Sequence, residues 1–127
     1  MRARPIDAAG APAPRGGYAQ ALEVEGAQRL LFISGQVPED AAGTLPEGFA
    51  DQCRLAWRNV EAQLHAAGMT LDNIVKVTTF LGDRSFGIEN RQVRQEVLGD
   101  RRPALTVIVA GIFEERWLIE IEAIAAA

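Results

Sequence analysis

The sequence predicts an α+β domain in which two helices cover one face of a β-sheet, and three observations lead to this prediction. Apolar residues recur at steps of three and four in two separate segments, which is typical of amphipathic helices. Five other segments are rich in β-branched residues or alternate between apolar and polar residues, as strands do. The chain of 127 residues is long enough for one compact domain and short for two. We therefore expect residues 1–127 to form a single domain with the element order β-β-α-β-α-β-β.

The N-terminal segment, residues 1–17, is interrupted by prolines and glycines. Because these residues break regular structure, the segment is expected to be an irregular arm that leads into the domain. Residues 19–24 and 29–34 then suit strands, and residues 25–28 suit the turn between them. This pattern predicts a β-hairpin at the start of the fold.

The first helix has the clearest pattern in the chain. One apolar stripe runs through Phe49, Cys53, Ala56, Trp57, Val60, Leu64 and Ala67. Gly68 follows where a left-handed residue would end the helix. The segment before the stripe, residues 36–48, contains two prolines and two glycines and is predicted to be a loop. Cys53 and Trp57 lie on the stripe and are therefore expected to be core residues.

The second half of the chain alternates between strands and a shorter helix. Residues 74–81 suit a strand that is covered on most of its surface. A short helix should contain Asn90 and end at Gly99, and strands are predicted over residues 104–109 and 117–125.

Two helices can back only one face of such a sheet, so the other face needs a partner. The alternation in the last strand places Trp117, Ile119, Ile121 and Ala123 on one face and Leu118, Glu120, Glu122 and Ile124 on the other. The second face mixes carboxylates with apolar groups. It therefore suits a subunit interface with polar pockets.

Composition excludes several function classes. The net charge is −4 and the basic residues are scattered, so the sequence predicts no positively charged surface for binding nucleic acid. No apolar run approaches the ~20 residues that span a bilayer, and the N-terminus lacks the apolar core of a signal peptide, so a cytoplasmic protein without membrane contact is expected. Cys53 and His65 are the only residues of their kinds. An intrachain disulfide is therefore impossible, and a zinc site is not expected.

Several short motifs in order along the chain carry a family resemblance. They are Gly17-Tyr18-Ala19-Gln20-Ala21, Ile33-Ser34-Gly35-Gln36-Val37-Pro38, Asn90 four residues after Phe86, Arg102-Pro103-Ala104-Leu105 and the closing segment Ile119-Glu120-Ile121-Glu122-Ala123-Ile124-Ala125. Over most of its length the chain resembles the RidA/YjgF family of reactive-intermediate deaminases. This resemblance implies the chorismate-mutase-like fold, assembled as a homotrimer. The three sheets would form a central barrel, with one ligand cleft between each pair of subunits.

The resemblance also implies a chemistry. Deaminases of this family hydrolyse imines formed from short-lived enamines such as 2-aminoacrylate, releasing a 2-keto acid and ammonia without a metal or organic cofactor. In that branch an arginine directly after Pro-Ala binds the substrate carboxylate, and a glutamate in the final strand helps to position water. By position these are Leu105 and Glu120. Tyr18, Ser34, Gly35 and Asn90 fall where the family lines the pocket.

Each of these residues also has an ordinary structural explanation. Glu120 could pair across a subunit interface, and Tyr18 could be a routine strand residue. Ser34 and Gly35 could instead be ordinary turn residues, and the side-chain amide of Asn90 could form a hydrogen bond to the backbone at the end of a helix.

Leu105 is the main departure from the family pattern. Leucine supplies neither the charge nor the paired donors with which arginine holds a carboxylate. We therefore expect a deaminase acting on a small imine or enamine other than 2-aminoacrylate, with Arg101 or Arg102 as possible substitutes for the missing cation. The alternative is a trimeric protein that binds a small molecule without catalysis.

Overall fold

A computed structural model describes all residues, 1–127, and contains six strands and two α-helices. The strands are β1 Arg2–Ile6, β2 Ala21–Glu25, β3 Leu30–Gln36, β4 Ile74–Leu81, β5 Ala104–Val109 and β6 Ile119–Ala126, and the helices are α1 Phe49–Ala66 and α2 Gly87–Leu98. Two 3₁₀ turns, Leu71–Asn73 and Arg84–Phe86, precede β4 and α2. The predicted α+β class is confirmed.

Four strands form the main sheet in the order β3-β6-β4-β5. Strand β6 is antiparallel to both of its neighbours, β3 and β4, whereas β4 and β5 are parallel. Parallel neighbours need a crossover connection, and α2 lies between these two strands in the chain. The sheet therefore brings the final strand, which carries Glu120, to its centre.

Both helices pack on one face of this sheet, as predicted. The apolar stripe of α1 is buried, and Cys53 and Trp57 are core residues with 0% and 1% exposure. The core from the sheet side includes Val77, Ile119 and Ile121. Gly68 follows α1 with φ of +72°, and Gly99 follows α2 with φ of +58°. Both are left-handed conformations that glycine adopts at little cost, which accounts for the two helix ends.

The opposite face of the sheet carries no helix. Phe32 on β3 is 71% exposed and Ile108 on β5 is 44% exposed. Ile124 of β6, beside Phe32 in the strand register, is only partly buried. Exposed apolar side chains on one sheet face make this face a candidate interaction surface. Neither helix has the length and apolar composition needed to cross a bilayer.

The N-terminal prediction is wrong in two respects. Residues 2–6, predicted as part of an irregular arm, form β1, which pairs antiparallel with β2 in a separate two-stranded sheet. Strand β2 therefore pairs with β1, and the predicted hairpin between residues 19–24 and 29–34 does not form. Strand β3 instead joins β6 of the main sheet.

Long-range contacts explain these corrections. Arg2 and Arg4 of β1 form ion pairs with Glu25 and Glu23 of β2, a match between residues about twenty positions apart that local sequence pattern cannot show. After β2 the backbone N–H groups of Gln28 and Arg29 donate to the carbonyl of Ala127, which aligns the next strand with the chain end.

Candidate functional site

The site residues expected from the sequence lie on two opposite faces of the main sheet. Leu105 pairs with Val77, whose side chain is fully buried beneath the helices. Glu120 pairs with Phe80. Because Phe80 is next to the buried Leu81 in β4, its side chain lies on the opposite face of the sheet, the face without helices. Because directly paired residues project from the same face of a sheet, Leu105 and Glu120 point in opposite directions. The candidate residues of one chain therefore form two separate groups.

The first group combines Glu120 with Ser34 and Gly35. The register of β3 against β6 shifts between Ile33 and Gln36, so that the Ser34-Gly35 pair lies in an irregularity of the strand. The Glu120 side chain lies directly over Gly35: a Cβ atom built on Gly35 would come 2.7 Å from Glu120 Cδ. This close approach explains why glycine, with no side chain, stands at position 35.

Glu120 borders a small cavity together with Phe80, Ala110, Gly111, Ile112 and Phe113. Its carboxylate forms neither an ion pair nor a side-chain hydrogen bond within the chain. Ser34 borders a neighbouring depression on the same face, with Lys76 and Thr78. The arrangement leaves an unpaired carboxylate and a hydroxyl on the open face, where both can reach a ligand.

The second group lies at the other side of the sheet, between α2 and β5. Asn90 and Leu105 border one depression there, together with Arg84, Ser85, Gly87, Ile88, Arg91, Arg94 and Val107. Asn90 is buried, and its Oδ1 accepts from the thiol of Cys53 at 4.0 Å. This contact ties the side chain to α1 rather than to the helix-terminal backbone.

Tyr18 stands beside this second group. Its hydroxyl accepts a hydrogen bond from the backbone N–H of Arg15 at 3.1 Å. Gly16, two residues earlier, lies close to Arg94, since a Cβ atom built on it would be 3.8 Å from Arg94 Nη2. The arm thus brings Tyr18 towards the end of α2.

Neither arginine considered as a replacement for position 105 is free. Arg101 Nε forms an ion pair with Asp72 at 2.8 Å. Arg102 Nη2 forms one with Asp7 at 2.7 Å, and its Nε donates to the backbone carbonyl of Tyr18. These contacts hold the arm and the turn before β4 in place, which gives both residues a structural task.

Sequence reasoning missed Arg94. This residue is only 6% exposed and borders the same depression as Leu105. Burial, followed by the nearby charge of Arg91, lowers the pKa of the Arg94 guanidinium, while Tyr18 and Cys53 oppose the shift. The sequence does contain an indication that Arg94 belongs to this group. Arg94 stands four residues after Asn90 and so lies on the same side of the helix.

No group of three or more histidine, cysteine, aspartate or glutamate side chains is arranged to hold a metal ion. His65 is exposed on α1. The chemistry available at the two groups is therefore that of carboxylate, hydroxyl, amide and guanidinium side chains.

Comparison with known proteins identifies the family. The profile of the family described as Endoribonuclease L-PSP matches residues 8–127. A RutC family protein of Pyrococcus horikoshii is 38% identical over 117 residues, covering 91% of this chain and 90% of the relative. The 2-iminobutanoate/2-iminopropanoate deaminase of Rattus norvegicus is 36% identical over 123 residues, covering 94% and 87%.

A solved structure extends the comparison to the fold. The Rid family protein YyfB of Yersinia pestis, whose function is described as unknown, superposes with a TM-score of 0.87 at 26% identity over the full length of both chains. The family match and the shared fold agree with the motifs on which the resemblance was based. The chain belongs to the RidA/YjgF family, the family of the Endoribonuclease L-PSP profile.

Proposed function

We propose that this protein is a cofactor-free deaminase that hydrolyses a small imine or enamine in a cleft between subunits. The observation that carries the proposal is the Glu120 carboxylate, which lies on the open face over Gly35 without a cation or hydrogen-bond donor of its own chain. The relative of Rattus norvegicus that is named as a 2-iminobutanoate/2-iminopropanoate deaminase is 36% identical to this chain, and the match covers 94% of the chain.

The chemistry requires little more than a positioned water and a base. Glu120 accepts a proton as water attacks the carbon of the C=N bond, which forms a tetrahedral carbinolamine. Return of that proton to the nitrogen allows the C–N bond to break. The carbinolamine hydroxyl also passes its proton, by way of the Glu120 carboxylate, to the departing nitrogen as the carbonyl forms, so one imine and one water give one carbonyl compound and one ammonia. The Ser34 hydroxyl and nearby backbone can hold the water or the ligand.

The proposed cleft needs more than one chain. Leu105 and Glu120 project from opposite faces of the sheet, so one subunit cannot bring their two groups around one small ligand. A neighbouring subunit packed on the open face could place its Asn90 group beside the Glu120 group of the first. The exposed Phe32 and Ile108 supply apolar surface for such packing, and we propose the homotrimer of the family as the assembly.

The substrate side of the proposal depends on position 105. Taken by itself, Leu105 removes the cation that would hold the carboxylate of a 2-aminoacrylate-derived imine. A loss of about 3 kcal/mol, which one charge-assisted pair can contribute, is about two powers of ten in binding. Unless another group replaces that cation, the substrate would be a larger or uncharged imine.

A protein that binds a small molecule without catalysis is the second candidate. The apolar Leu105 and Val107 beside the buried Asn90 favour it, because they line a depression that suits a ligand without any reacting group. The two candidates differ in whether the Glu120 carboxylate is needed for turnover. A ribonuclease has less support, since the net charge is −4 and the single histidine, His65, is exposed on α1.

The deciding experiment follows imine hydrolysis. An amino-acid oxidase generates 2-iminobutanoate from 2-aminobutanoate, and semicarbazide traps whatever imine is not hydrolysed. We expect wild-type protein to decrease trapping, and Glu120→Gln to lose the effect by on the order of 10²-fold while keeping the fold, since the amide preserves shape but is no base. Glu47→Gln, an exposed carboxylate elsewhere, is the control. Equal activity of Glu120→Gln and wild type would remove Glu120 from the mechanism, and a wild type that hydrolyses neither 2-iminobutanoate nor an uncharged imine would favour the binding protein.

A further inference from the structure

Arg94 is a buried cation without an anionic partner. Its residue surface is 6% exposed, yet no carboxylate lies within ion-pair distance and its guanidinium forms no hydrogen bond within the chain. Desolvating a cation is costly unless an opposite charge or hydrogen-bond acceptors compensate it. Arg101 and Arg102, the two arginines before Pro103, have such partners in Asp72 and Asp7, whereas Arg94 has none. Arg94 therefore lacks a partner that a ligand could provide.

Asn90 provides a second free donor beside it. Asn90 and Arg94 are four residues apart on α2, so their side chains lie on the same side of the helix. Both are buried and both border the depression that contains Leu105. The Asn90 Oδ1 is used by the Cys53 thiol, whereas its Nδ2 donates to no group of the chain. Two sets of N–H donors without a partner in the chain thus belong to residues that border one partly apolar depression.

The charged side chains that border this depression are all positive. Arg84, Arg91 and Arg94 all border it, and no aspartate or glutamate does. Arg91 lies near enough to Arg94 to contribute to the lowering of its pKa, although burial is the larger cause. A fourth group of the same sign at position 105 would add repulsion, whereas Leu105 avoids it and lowers the local dielectric. In such surroundings an anion interacts with a guanidinium more strongly than it would in water.

We propose that Arg94, with the Asn90 amide, binds the carboxylate of the substrate, so that a residue of α2 supplies the cation that β5 does not supply at Leu105. The proposal rests on the proposed deaminase function and narrows it. The substrate is a small 2-imino acid, whose carboxylate lies on the α2 side of the cleft and whose C=N carbon faces Glu120 of a neighbouring subunit. The apolar Leu105 and Val107 then contact the substrate's carbon chain.

The kinetic test is a swap of the arginine between two positions. With 2-iminobutanoate, Arg94→Gln should lower kcat/KM by about 10- to 100-fold, the effect of losing one charge-assisted pair, mostly as a rise in KM. The double variant Arg94→Gln with Leu105→Arg should recover at least a tenfold part of that loss. Arg58→Gln, which removes an exposed arginine of α1 that has no ion pair, should match wild type.

A binding test needs no turnover, and its main comparison uses the wild-type protein alone. The product 2-oxobutanoate keeps the carboxylate, whereas 2-oxobutanamide is its neutral counterpart. We expect 2-oxobutanoate to raise the melting temperature of wild-type protein, and the amide to raise it less, because a ligand that binds only the folded state stabilises it. Arg94→Lys, which keeps the charge but not the paired donors, should retain part of the shift.

The outcomes separate this inference from the proposed function. An active wild type with an unaffected, folded Arg94→Gln variant overturns the inference and leaves the deaminase standing. A wild type that is inactive towards imines, yet is stabilised by 2-oxobutanoate through Arg94, overturns the deaminase and supports the carboxylate site. If Arg94→Gln does not fold, equal shifts from 2-oxobutanoate and its amide on wild type would still overturn the site.

Discussion

The Glu120 carboxyl group lies against the α-carbon of Gly35, so close that even a methyl group on residue 35 would overlap it. Gly35 does not require glycine for its backbone, because its φ is not among the positive values of the chain. The glycine is therefore explained by space rather than by conformation. Its role is to leave room for the end of the Glu120 side chain on the open face of the sheet.

This relationship predicts the effect of Gly35→Ala. The atoms that would overlap are the far end of a flexible side chain, so the protein can accept alanine by moving the carboxylate. We expect deaminase activity to fall by about tenfold or more, since a displaced base loses part of the ~10²-fold that such a group contributes, while the melting temperature changes little. Gly10→Ala, at an open position with nothing within 4 Å, is the control. Full activity in a folded Gly35→Ala protein would contradict the role assigned to this contact.

The exposed sheet face predicts the behaviour of Phe32→Glu. Phe32 is 71% exposed in one chain, so a buried environment for it must come from another subunit. Light scattering should give a wild-type mass of about three chains, and the charged variant should shift towards the monomer because an unpaired carboxylate is costly in an interface. Imine hydrolysis should be lost with it, since the proposed cleft needs two subunits.

Ala62→Glu provides the matched control for that experiment. It adds the same charge at an exposed position on α1, on the side of the molecule that faces away from the sheet. We expect it to keep the mass of the wild type. A wild-type protein that is monomeric at micromolar concentration would exclude both the trimer and the shared cleft.

Most of the main sheet and both helices could be predicted from the sequence because their patterns are local. The stripe from Phe49 to Leu64 and the glycines that end α1 and α2 each depend on residues close in the chain. Strands β4 and β5 were predicted with the bounds that they have. By contrast, β1 exists because it pairs with β2 across a loop of fourteen intervening residues, which no local pattern reveals.

The candidate site was harder to predict for a related reason. The motif positions identified Glu120, Asn90 and Leu105 by similarity, but which of them share a face depends on the register of β4 with both of its neighbours. Arg94 was missed because a charged residue at a helical position is ordinarily a surface residue. Only the packing of the arm and β5 against α2 shows that it is buried.

The environment of Cys53 predicts a thiol without reactivity. Its complete burial raises the pKa of the thiol from 9.0 to about 12, mainly because desolvation disfavours the thiolate. A disulfide reagent at pH 8 should label wild-type protein only as fast as it unfolds, and one equivalent should react in denaturant. Rapid labelling of folded protein would show that the core around Asn90 opens.

The same pKa shift has a consequence for stability at alkaline pH. Below pH 9 the thiol is protonated in both states and contributes no pH dependence. Between about 9 and 12 the unfolded chain ionises while the folded chain does not, so this group lowers the free energy of unfolding as the pH rises. Cys53→Ala should reduce that slope. Denaturant titrations at pH 8 and pH 10 would measure it.

The buried side-chain amide of Gln52 forms hydrogen bonds with two loop segments, and these contacts predict the effect of replacing it. Gln52 of α1 is 2% exposed, and its side chain donates to the carbonyls of Pro46 and Arg116 and accepts from the N–H of Leu118. Gln52→Leu has a similar volume but leaves these three backbone groups without partners. Because each unsatisfied buried group costs about 1–3 kcal/mol, we expect the free energy of unfolding to fall by about 2 kcal/mol or more. Urea titration measures this loss, with the exposed Gln63→Leu as control.

The segment held by Gln52 leads directly into β6, so a loss of stability without any change in imine hydrolysis would show that Glu120 is positioned by the sheet and Gly35 alone.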